Sequence, residues 1–112
     1  MGTKYLGAKF EVTDDLDVNG TTQLDGTLTV GVDDTGHDVV FYGATSGRFM
    51  RWDESANLLK LSDNTPIYLG TSNDLGLFHN GTNSEIVNNT GDLTIKNQAN
   101  DKDIIFQCDD GS

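Results

Sequence analysis

Few residues in this chain are spaced for chemistry. Asp15-Leu16-Asp17-Val18-Asn19-Gly20 opens like a calcium loop, D-x-D-x-N-G. Such a loop needs a bidentate Glu at its twelfth position, which here is Gly26, so a β-turn is the simpler reading. His37 and His79 are the two histidines and have no ligand partner at close spacing; His79 follows Leu75 and Leu77 on an alternating face. It becomes a metal-ring candidate only if three copies meet on a threefold axis; the plainer reading is a hydrogen-bonded or exposed imidazole. Among 18 Asp and Glu, some pair always lies at the separation glycoside cleavage requires, so proximity of acids carries no signal. No Ser-His-Asp or Cys-His grouping and no phosphate-cradling glycine loop is recognisable. The reading is therefore non-enzymatic, with no cofactor and no metal. Cys108 is the single cysteine, which excludes an intrachain disulfide. Asn19, Asn80 and Asn88 head glycosylation sequons that matter only on a eukaryotic secretory route.

The elements that would position these residues are short strands. Period-two alternation dominates. Leu28, Val30 and Val32 share a face, as do Met50 and Trp52, Leu59 and Leu61, Ile67 and Leu69, Leu93 and Ile95, and Ile104, Phe106 and Cys108. Turn signals punctuate them at Asn19-Gly20, Gly31, Gly43, Asp53-Glu54, Asp63-Asn64, Gly70, Asn80-Gly81 and Gly91-Asp92. LDVNG, LDGTLTVG, SNDLGLFHNG and TGDLTIKN echo one another without a strict repeat length.

Composition sets the limits. The 112 residues carry 7 Lys and Arg against 18 Asp and Glu, a net charge of −11, so phosphate backbones and anionic membranes are repelled. Nucleic-acid binding and membrane insertion are not expected. The N-terminal MGTKYLGAKFEV lacks the apolar centre of a secretory signal, and no apolar run approaches membrane-spanning length. Hydrophobic residues are only 35% of the chain, so a core of its own is hard to build and partner chains are expected to complete it. Residues 1–12 read as a lead-in segment and 13–112 as one fibrous β domain, expected to be a fragment of a longer fibre.

The blocks VDDTGHDV, FYGATSG and WDES, with GLFHNGTNSEIVNNTGDLTIKNQANDKDIIFQCDDGS downstream, resemble sequences in tail-fibre and other virion appendage proteins of marine bacteriophages, including cyanophages. The resemblance spans Val32–Glu54 with its flank and Gly76–Ser112. It departs at Arg48, Phe49 and Arg51, and at Cys108, where serine is expected. It implies a homotrimeric fibre of interwound β-structure in the virion, joined to adjoining fibre or tail proteins.

The expected fold is thus all-β, elongated and turn-rich: an interwound homotrimeric β-helix or β-prism, with a single-chain β-solenoid as the alternative. The expected trimer core is Leu28, Val30, Met50, Trp52, Leu59, Leu61, Leu77, Leu93, Ile95, Ile104 and Phe106. The expected function is a rigid trimeric shaft. One rival is a receptor-binding tip contacting a host surface glycan through Tyr42, Phe49 or Trp52; another is a self-assembling solenoid filament subunit.

Overall fold

Alternating apolar residues with asparagine, aspartate and glycine turns between them produce antiparallel meanders. The computed structural model describes Gly7, residues 9–109 and Gly111, so residues 1–6 and 8 of the lead-in lie outside the described residues. Six strands form: β1 (Val39–Tyr42), β2 (Phe49–Asp53), β3 (Leu58–Leu61), β4 (Ile67–Leu69), β5 (Leu75–His79) and β6 (Ser84–Asn88). They make two three-stranded antiparallel sheets, β1-β2-β3 and β4-β5-β6, and the described residues include no helix.

No strand of one sheet touches a strand of the other, and neither sheet has a second layer. The molecule is elongated, 66 × 33 × 31 Å. Its radius of gyration of 21.0 Å compares with about 13 Å for a compact domain of this length. No hydrophobic side chain is buried among the described residues. Among the described residues the sole buried one is Gly76 in β5, over which the Tyr68 ring lies: a Cβ at Gly76 would stand 2.8 Å from Tyr68 Cε1.

Asparagine shapes the connections. Asn57, Asn64 and Asn73 all adopt left-handed backbone, where a short polar side chain is better tolerated than a branched one. Asp53 closes the β2–β3 turn, its Oδ1 accepting from Ser55 Oγ (3.0 Å) and Ala56 N (3.2 Å). Asn80 does the same for β5–β6, its Oδ1 accepting from Thr82 N (2.9 Å) and Asn83 N (2.8 Å).

A 26-residue repeat underlies the two sheets. β5 starts 26 residues after β2 (Phe49 to Leu75), and β6 starts 26 after β3 (Leu58 to Ser84). The pairing Arg51↔Lys60 recurs at that offset as Leu77↔Ile86. Polar braces recur too. Arg48 Nη1 donates to the carbonyls of Asp63 (3.0 Å) and Asn64. Asp74, at the equivalent place, accepts from Asn89 N (2.7 Å) at its carbonyl and from Thr90 Oγ1 (2.9 Å) at its carboxylate. Asp38 accepts from Glu54 N (2.8 Å), and the equivalent Asn64 donates from its backbone to His79 O (2.7 Å) and from Nδ2 to Asn80 O (3.3 Å). The connector at Asp63-Asn64 is therefore gripped by the first sheet on one side and the second on the other. This period is not the one suggested by the echoes LDVNG, LDGTLTVG, SNDLGLFHNG and TGDLTIKN, which are not spaced by 26 residues; it lies in backbone pairing and hydrogen bonding.

Three expected strands, at Leu28–Val32, Leu93–Ile95 and Ile104–Cys108, run without ladder partners; near them only the bridge Val32↔Thr35 forms. Alternation gives a strand its faces but cannot supply the neighbour that completes its hydrogen bonds. Neither a closed barrel nor a solenoid forms among the described residues.

The braces carry a prediction. Arg48→Met keeps the aliphatic stem and removes the Nη1 that donates to both carbonyls of the connector. Urea unfolding should show a loss of about 1–2 kcal/mol, the scale of charge-assisted hydrogen bonds; an unchanged midpoint would show that the connector does not need this grip.

Candidate functional site: the apolar face of the first sheet

Directly opposed residues in a sheet share a face, so register decides which side chains meet. Val39 pairs with Trp52 and Trp52 with Leu59; Phe41 pairs with Met50 and Met50 with Leu61. These six residues form a grid of two rows by three strands with no polar member. The grid lies largely open: Phe41 is 58%, Leu59 59% and Trp52 41% exposed. Met50, Trp52, Leu59 and Leu61 were expected in a shared core and do lie together. Val39 and Phe41 complete the face and were missing from that expectation. Their own alternation was visible, but only the β1–β2 register assigns their side.

The second sheet has a smaller counterpart. Ile67 pairs with Leu77 and Leu77 with Ile86, with Leu69 and Leu75 opposed in the next row. Polar residues bound it: Leu75 also pairs with Asn88, and His79 with Ser84. His79 is exposed, and its Nδ1 lies 3.1 Å from Ser84 Oγ. Of the other expected core residues, Leu28, Val30, Leu93, Ile95, Ile104 and Phe106 are all exposed on extended segments outside the sheets.

The three glycan-contact candidates do not share a face. Trp52 belongs to the apolar grid and borders an open cleft of about 410 Å³ with Asp33, Asp34 and Glu54. Tyr42 and Phe49 are cross-strand partners on the opposite side of the sheet, lining a shallow groove of about 120 Å³ with Val40 and Arg51. Arg51 lies over the Phe49 ring, 5.8 Å from its centroid. It also pairs with Asp53 at 2.6 Å. That ion pair sets the guanidinium and offsets the Lys60 charge directly across the strands.

Asp53 thus has two duties: closing the hairpin and pairing with Arg51. Its carboxyl is held below the ordinary value of 3.8, first by the Ser55 hydroxyl, then by the Ala56 N–H, with Arg51 and Lys60 adding attraction and partial burial opposing. Among the described residues no helix is long and apolar enough to cross a membrane. No protein-family model, curated protein or solved structure matches the chain.

A pH dependence follows from Asp53. A carboxyl whose folded value is depressed contributes stability that is present above its unfolded value. That contribution is lost as pH falls through the folded value. In urea titrations from pH 5 downward, the wild-type chain should lose stability below about pH 4, and Asp53→Asn should start lower at pH 5 and lose less across the same interval. Identical acid limbs would remove Asp53 from the account.

Proposed function

We propose that this chain is a structural, non-catalytic segment of a phage tail fibre or similar virion appendage, working as a rigid homotrimeric shaft. The observation that carries the assembly is the uncovered apolar grid of the first sheet, with no hydrophobic side chain buried among the described residues. An apolar face left against water forgoes the burial that is the main favourable contribution to folding and association. Each grid side chain, fully buried, contributes about 1.5–3 kcal/mol. Three copies turning this face to a common axis cover it with like surface, in a β-prism or interwound β-helix. The elongated shape and the recurring braces favour a shaft along which load passes from rung to rung. The virion setting rests on the resemblance of Val32–Glu54 and Gly76–Ser112 to marine phage appendage proteins, and adjoining fibre or tail proteins are its further partners.

One observation favours a second reading, contact with a host surface glycan. The Tyr42–Phe49 groove lies on the side of the sheet away from the grid, and Tyr42 is 83% exposed. In the proposed trimer that side faces outward, offering an aromatic platform with Arg51 beside it. The filament-subunit reading has no comparable feature among the described residues.

The grid is tested by Met50→Glu, which places a carboxylate in its central strand. The expected outcome is loss of assembly, read by size-exclusion chromatography, together with loss of the β signal in circular dichroism. Tyr42→Ser, on the other side, should change neither. A Met50→Glu protein of unchanged mass and β content would show that the interface lies elsewhere.

A further inference from the structure

The chain contains two Asn-Gly pairs, Asn19-Gly20 and Asn80-Gly81, and the structure treats them in opposite ways. Asn80 is held on every side. Its Oδ1 accepts from Thr82 N and Asn83 N, its Nδ2 donates to Glu85 Oε1 (3.0 Å), and its backbone N donates to Asn83 O (3.0 Å). Its carbonyl accepts from Asn64 Nδ2. Asn19 is exposed and makes no hydrogen bond among the described residues. Gly20 stands in open space, with nothing within 4 Å of a Cβ placed on it.

We infer that Asn19 is a site of spontaneous deamidation and that the hydrogen-bonded turn protects Asn80. The reaction needs the backbone nitrogen of the following glycine to reach the asparagine Cγ. A bond forms between Gly20 N and Asn19 Cγ, the Cγ–Nδ2 bond breaks, and ammonia leaves with the glycine proton. Water then opens the succinimide at either carbonyl, giving aspartate or isoaspartate. Nothing is oxidised or reduced, and water is the single co-reactant. Asn19 can turn freely into that geometry. Asn80 reaches it only by giving up the bonds that build the β5–β6 hairpin.

The consequences are local and defined. Either product adds a carboxylate beside Asp14, Asp15 and Asp17, in a chain already at −11. Isoaspartate also routes the backbone through the side chain, which lengthens it by one carbon and changes the course of the chain at the site. This inference stands apart from the proposed trimer.

The test is peptide mapping by mass spectrometry after incubation of the intact protein in mildly alkaline buffer at physiological temperature, with and without urea. In buffer Asn19 should convert, and Asn80 should convert at least about tenfold more slowly, the worth of one or more lost hydrogen bonds. In urea the two should converge, and Gly20→Ala should slow conversion at Asn19 alone. Equal rates in buffer, or an Asn19 that stays intact in buffer, would overturn the inference.

Discussion

Each sheet of this protein is a single layer, and the rest of the structure answers to that. A two-by-three grid of Val39, Phe41, Met50, Trp52, Leu59 and Leu61 has no facing strand among the described residues. In a globular domain a second layer would cover such a face and define the core. Here that face stays open to solvent among the described residues. What a single chain settles by itself is hairpin geometry and the polar ties between turns.

Those ties explain why so elongated a chain keeps a regular form. The contacts from Asp38 to Glu54, from Asn64 to Asn80, from Asn73 to Asn89 and from Asp74 to Thr90 each span 16 residues, reaching from one connection to the next. They depend on backbone groups and short polar side chains, so rungs of different apolar content can share one frame. This is the logic of a repeat protein, in which each unit is held chiefly by its neighbours. A second correspondence reaches further. Gly26, Leu28, Thr29, Asp38 and Phe41 recur in the same relative positions as Gly91, Leu93, Thr94, Asp103 and Phe106.

Much of the fold was legible in the sequence, and the missing parts have physical reasons. Strand positions and faces from Phe49 to His79 follow from alternation, and Asn64, Gly31, Gly70, Gly81 and Gly91 stand at expected turns with left-handed backbone. The 26-residue period was hidden because equivalent places differ in polarity. Arg51 corresponds to Leu77 and Met50 to Gly76, so hydropathy does not repeat while the backbone pairing does. Arg48 and Asp74 do the same bracing with opposite charge, which no residue-type pattern would connect. The apolar grid was readable strand by strand, but its completeness rests on the β1–β2 register. Alternation along β2 already set Phe49 and Trp52 on opposite faces, and the β1–β2 register adds Tyr42 to the Phe49 side.

The central claim is that the exposed grid is an interface between copies of this chain. Light scattering across a dilution series, at low and high salt, tests it most directly. The account predicts a stable mass three times 12.1 kDa that survives dilution and persists at high salt, where apolar burial is retained and repulsion between the acidic chains is screened. A folded species of 12.1 kDa that persists across the series would contradict it.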